Sequence, residues 1–136
     1  MLQSISTPEK RPLQDARQRV LVVEDEYLIR TLLSDELRDE GYDVIEASNA
    51  DEALLILETA VPDLIISDVR MPGSIDGLGL LALVSQSHPT LRVIITSGHL
   101  QPTLATAAGA TQFVPKPYSL EVIVKAAQNR LTKVAA

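Results

Sequence analysis

Apolar residues in this chain fall into two alternating patterns: short unbroken runs rich in β-branched side chains, and longer stretches where apolar positions recur every three or four residues. The first pattern is that of a strand buried on both faces, the second that of a helix with one inner stripe. Val20-Leu21-Val22-Val23 opens the series. Leu28, Ile29, Leu32, Leu33 and Leu37 form the first helical stripe, which stops at Gly41, a suitable C′ residue. Val44-Ile45 predicts a short second strand. Asn49, with Glu52 three positions on, predicts a capped helix whose inner face is Ala53, Leu54 and Leu57. Leu64-Ile65-Ile66-Ser67-Asp68, bounded by Pro62 and Gly73, is the third strand, and Leu78, Leu80, Leu81, Leu83 and Val84 mark a third helix ending before Pro89. Arg92 to Thr96 predicts a fourth strand, Pro102 to Ala108 a short Ala-rich helix, and Thr111 to Pro115 a fifth strand. Ser119 is placed to cap a last helix, with Leu120, Ile123, Val124, Ala127 and Leu131 inward and Lys125, Arg130 and Lys133 toward water.

Strand and helix thus alternate five times, with connections short enough to require right-handed βα crossovers. The expected fold class is α/β: a doubly wound (βα)5 flavodoxin-like domain with a five-stranded parallel sheet in the order 2-1-3-4-5. Residues 1–19 have no period and carry Pro8 and Pro12, so they read as a mobile N-terminal leader to a domain spanning 20–134.

Composition narrows the function. The chain has no cysteine, which excludes disulfides and cysteine-ligated metals. Its apolar runs are far shorter than the roughly 18 residues that span a bilayer, and the N-terminus has no apolar signal core. A soluble cytoplasmic protein with no membrane role is expected. A net charge of −6 argues against nucleic acid as a partner. The charge is also uneven: Val20 to Asp76 holds fifteen acids against three bases, and Gly77 to the end one acid, Glu121, against five bases. Either those acids cover a solvated face or some of them converge on a cation.

The sheet order favours convergence. The C-terminal ends of the first and third strands are neighbours at the topological switch point, which brings Glu24 and Asp25 up to Asp68. Three carboxylates in one crevice repel unless a cation or protons neutralise them. An all-oxygen donor set suits a hard ion such as Mg²⁺. Ser97 ends the fourth strand and Lys116 the fifth. A hydroxyl and an ammonium around a carboxylate and a divalent cation are the parts needed to receive a phosphoryl group, with Asp68 as the nucleophile.

Val20-Leu21-Val22-Val23-Glu24-Asp25-Glu26, Asp63-Leu64-Ile65-Ile66-Ser67-Asp68-Val69-Arg70-Met71-Pro72, Val93-Ile94-Ile95-Thr96-Ser97-Gly98-His99 and Phe113-Val114-Pro115-Lys116-Pro117, in that order, closely resemble the receiver domain of two-component response regulators. The resemblance runs from Val20 to about Leu131. It implies that Asp68 accepts phosphate from the phosphohistidine of a histidine kinase or a histidine phosphotransfer protein. It implies also that Asp25, Asp68 and the Arg70 backbone carbonyl ligate Mg²⁺, with Glu24 acting through water and Lys116 pairing with the phosphoryl oxygens. Ser97 resembles the switch hydroxyl, with Thr96 as its rival, and Phe113 the aromatic that follows it. Arg70 and His99 occupy the positions that tune dephosphorylation in the family, although His99 reads equally well as a plain loop histidine.

The chain departs from the family pattern in two places. The loop Met71-Pro72-Gly73-Ser74-Ile75-Asp76-Gly77 is one residue longer than the usual Met-Pro-Gly-x-Asp-Gly, and Phe113 stands where a tyrosine is often found. With few residues after Leu131, the expectation is a stand-alone receiver, a monomer or weak dimer. It would act on no separate substrate and signal by phosphate relay or by protein contact at the face of the fourth helix, fifth strand and fifth helix. The alternatives are a receiver-fold binding module not switched by phosphate and, more remotely, an aspartate-nucleophile phosphatase. The latter chemistry wants a second aspartate where Arg70 stands.

Overall fold

The computed structural model describes residues 17–99 and 102–131. The expected leader falls mostly on residues 1–16, and Lys133 on the C-terminal end, both outside the described residues. In order, the elements are β1 (Arg19–Val23), α1 (Tyr27–Asp39), β2 (Asp43–Ala47), α2 (Ala50–Leu57), β3 (Leu64–Asp68), α3 (Gly77–Ser87), β4 (Arg92–Ser97), α4 (Pro102–Ala107), β5 (Gln112–Pro115) and α5 (Leu120–Arg130). The strands form one parallel sheet in the order β2-β1-β3-β4-β5, as the sequence predicts.

Pleating divides each strand's side chains between two cores. Leu21, Val23, Ile65, Val93 and Ile95 pack with Ala50, Ala53 and Leu57 of α2, Leu80, Leu81 and Val84 of α3 and Ala105 of α4. On the opposite face Val20, Val22, Leu64, Ile66, Ile94 and Val114 meet Leu33 and Leu37 of α1 and Ile123, Val124 and Ala127 of α5. A parallel sheet covered on both sides requires continuous apolar strands, and every residue of β3 is buried.

Local chemistry sets the helix ends. Gly41, at φ +97°, ends α1: its N–H donates to the Arg38 carbonyl at 2.9 Å and that of Tyr42 to the Leu37 carbonyl at 3.2 Å, the two bonds of a Schellman motif. Asn49 Oδ1 accepts from the Glu52 N–H at 2.8 Å, while Glu52 Oε1 accepts from the Ser48 N–H at 2.6 Å, so α2 starts from a doubly bonded cap. Ser119 caps α5 by accepting from the Val122 N–H at 3.1 Å.

Four expectations need correction. Arg19, read as leader, begins β1; its N–H and guanidinium bond Asp63 and Asp43 at 2.7 and 2.8 Å. Leu28 and Leu32 are 70% and 54% exposed, because the buried side of α1 is Leu33, Ser34 and Leu37. Leu83 is likewise exposed on α3. Arg130 does not point freely to water: its Nε donates to Gln112 Oε1 at 3.1 Å, and its carbonyl accepts from the Arg92 guanidinium.

Candidate functional site

The C-terminal ends of β1, β3, β4 and β5 open on one cleft of about 680 Å³, lined among others by Asp25, Asp68, Arg70, Ser97, His99 and Lys116. Register explains the convergence. Val23 pairs with Ser67, Asp68 with Thr96, and Ser97 with Pro115, so each candidate residue is the last of its strand or one or two positions beyond it. Of the two hydroxyls in β4, Ser97 lines the cleft, whereas the Thr96 carbonyl accepts from the Val69 N–H at 3.2 Å.

Glu24, Asp25 and Asp68 each place a carboxylate oxygen within 4.8 Å of the others. Glu24 and Asp68 are buried and Asp25 is exposed, so one carboxylate faces the cleft while two lie at its base. Lys116, the residue after β5, answers the two buried ones, its Nζ 2.9 Å from Glu24 Oε1 and 3.2 Å from Asp68 Oδ2. Burial on its own would lower the lysine's pKa. The hydrogen bond and charge of Glu24, with the charge of Asp68, outweigh that and hold it above the ordinary lysine value.

Glu24 shows the opposite balance. Its carboxyl is raised above the usual range by burial, which the bonds from Lys116 and from the Glu26 N–H reduce without cancelling. Both Glu24 oxygens are therefore engaged, Oε1 by Lys116 at 2.9 Å and Oε2 by Glu26 N–H at 3.1 Å. Asp68 keeps its geometry through a bond from the Val69 N–H to Oδ1 at 2.8 Å. The Ser67 hydroxyl donates to the Asp68 carbonyl at 2.9 Å.

Three carboxylates against one ammonium leave an excess of negative charge, and every donor is a hard oxygen. This set fits a small divalent cation such as Mg²⁺, and no sulfur or imidazole competes for it within the cluster.

Arg70 and His99 are exposed at the cleft rim. The His99 N–H donates to Ser97 Oγ at 3.1 Å, so this loop is tied to the β4 hydroxyl. Phe113 lies farther away, half-buried against the core shared by α2, α3 and α4.

Sequence reasoning missed three contributors. Arg30, one turn into α1, donates to the Glu24 carbonyl at 2.7 Å and lies 3.4 Å from Glu46 Oε1, bracing the end of β1. Tyr118 lines the cleft beside Lys116, its phenol pushed up to about 12, chiefly by burial and then by the Glu24 charge. Asp51, at the start of α2, holds the lengthened loop: Oδ1 accepts from the Ser74 hydroxyl at 2.6 Å and Oδ2 from the Ser74 N–H at 3.1 Å. The position of Tyr118 directly after Lys116-Pro117 was a usable signal for it. The other two depend on tertiary approach.

A family model described as the response regulator receiver domain matches residues 20–128. Among solved structures, the receiver domain of NtrX from Brucella abortus is 36% identical with a TM-score of 0.77, covering 82% of this chain and 97% of that one. The chemotaxis protein CheY4 of Vibrio cholerae is 32% identical with a TM-score of 0.78, covering 85% of this chain and 100% of that one. The transcriptional regulator NtrC of Salmonella typhimurium is 36% identical over 116 residues, 83% of this chain and 24% of NtrC. The chain therefore spans about a quarter of the length of the curated relatives it matches.

Proposed function

This chain belongs to the response regulator receiver domain family, and from that premise we propose that Asp68 is a phosphoacceptor, phosphorylated from the phosphohistidine of a histidine kinase or histidine phosphotransfer protein. The observation that carries the reading is the 3.2 Å approach of Lys116 Nζ to Asp68 Oδ2 at the base of a cleft that also holds Glu24 and Asp25.

In the proposed reaction an Asp68 carboxylate oxygen attacks phosphorus, the P–N bond breaks, and its electron pair stays on the departing imidazole nitrogen. The Lys116 ammonium neutralises charge on the transferring oxygens from a position it already holds. Asp25, Asp68 and the Arg70 carbonyl would hold Mg²⁺ directly. Glu24, with both oxygens engaged, would act through water. Bound there, the ion supplies the remaining charge neutralisation for the phosphoryl group.

Ser97, which lines the same cleft, would turn toward the phosphoryl group, and Phe113 would change its packing against the core in response. The face of α4, β5 and α5, carrying Phe113 and Lys125, would then change its population of arrangements and pass the signal on by protein contact or phosphate relay. Arg70 and His99 at the rim would govern water access and hence the lifetime of the phosphoryl group.

Incubation with acetyl phosphate and Mg²⁺, read by intact mass, tests the chemistry. A single phosphoryl adduct is expected on the wild type and none on Asp68→Asn. Equal labelling of the two would sink the assignment.

A further inference from the structure

The loop that separates β3 from α3 begins at Asp68 and returns to it. Where it ends, Gly77, the first residue of α3, donates its N–H to the Val69 carbonyl at 2.9 Å, and a Cβ placed on Gly77 would lie 2.0 Å from the Asp68 carbonyl oxygen. Between these points the loop carries Arg70, at the cleft rim, and the extra residue noted in the sequence. A longer loop has more conformations available, and something must select one if the Arg70 carbonyl is to stand in a fixed place.

The selecting contact comes from α2. The Asp51 carboxylate takes both the hydroxyl and the N–H of Ser74, at 2.6 and 3.1 Å. Gly73 accommodates the approach: it sits at φ +120°, and a Cβ there would come within 2.8 Å of Asp51 Oδ2. Asp51 is itself mounted rigidly, because the bonds of Asn49 and Ser48 with Glu52 fix the first turn of α2. Charge-assisted bonds to both donors of one residue define a direction as well as a distance.

We propose that Asp51 and Ser74 are positioning residues for the Arg70 carbonyl, and through it for divalent-cation uptake at the Glu24, Asp25 and Asp68 cluster. The inference rests on the reading of that cluster as a Mg²⁺ site. Neither residue touches the reacting atoms. They act by holding the lengthened loop against α2, so that residue 70 is presented to the cleft before any ion arrives.

The test is Mg²⁺ titration of the unphosphorylated chain by calorimetry, with hydrogen exchange at the Gly77 amide of the metal-free chain as a second readout. Asp51→Ala is expected to weaken Mg²⁺ about three- to tenfold, below the roughly 10- to 100-fold typical of groups that orient a ligand directly, since one donor among several is affected. It should also speed exchange at Gly77. Ser74→Ala should weaken Mg²⁺ less, Ser74→Thr should restore near wild-type affinity, and Asp51→Ala with Ser74→Ala should be no worse than Asp51→Ala alone. Mg²⁺ affinity within twofold of wild type in both Asp51→Ala and Ser74→Ala would overturn the proposal while leaving the phosphoacceptor reading in place. A wild type that takes up no Mg²⁺ would overturn both.

Discussion

The Lys116 ammonium stands 3.2 Å from Asp68 Oδ2 in a position it shares with Glu24 at 2.9 Å, so one cation joins the ends of β1, β3 and β5. Of the three carboxylates whose oxygens lie within 4.8 Å of one another, Glu24 and Asp68 pair with this ammonium. Lys116→Ala should therefore destabilise the metal-free chain by about 1 to 3 kcal/mol, below the usual range for a broken buried pair because Asp25 and the cleft are open to solvent. Mg²⁺ should recover a larger share of stability in the variant than it adds to the wild type. Denaturant melts with and without Mg²⁺ check both statements. A variant as stable as the wild type without metal would show that the pairing contributes nothing to the fold.

A second consequence lies at high pH. Lys116 and Tyr118 both have folded-state values above their ordinary ones, Tyr118 at about 12. Above pH 10 the unfolded chain gives up the tyrosine proton first and the native chain still binds it, so stability falls as pH rises from 10 toward 12. Lys116 adds to the same loss, beginning near its ordinary value. Tyr118→Phe should remove a component of about 1 to 2 kcal/mol, discounted from the full shift because the phenol is partly exposed. It should also eliminate a tyrosinate absorbance step near pH 12. An unchanged step would place that titration elsewhere.

Gly77 makes a prediction about backbone rather than charge. Because a Cβ there would lie 2.0 Å from the Asp68 carbonyl oxygen, Gly77→Ala must shift either the start of α3 or the end of β3. A loss of about 2 to 4 kcal/mol is expected, with slower phosphorylation than in an equally destabilised variant elsewhere in the core. Stability within 0.5 kcal/mol of wild type, the range of an ordinary surface change, would mean the loop yields easily.

The strands and their convergence at Asp68 were readable because β-branched runs buried on both faces have few other readings, and because the runs of β1, β3, β4 and β5 end on or just before the residues of the cleft. The Asn49 and Ser119 caps were readable for the same local reason. The α1 stripe misled, since Ile29 and Leu32 line the cleft and Ser34, a polar residue, fills a core position instead. Periodicity reports which residues share a helix face, and it is silent on whether a core or a cleft lies opposite. The contacts of Lys116 with Glu24, 92 positions apart, and of Ser74 with Asp51, 23 apart, had no local signature at all.

β3 runs between β1 and β4 with all five of its residues buried, and the Val69 N–H still donates to the Thr96 carbonyl beyond the strand's end. Asp68 is thus anchored in the middle layer of the molecule. The lysine arrives on the end of an outer strand, and the remaining groups arrive on loops or on an exposed rim. Among the residues of the site, Asp68 is the one whose strand is held on both sides. On the proposed reading, a phosphoryl group on Asp68 would be sensed through the loops and rim around it rather than through β3 itself.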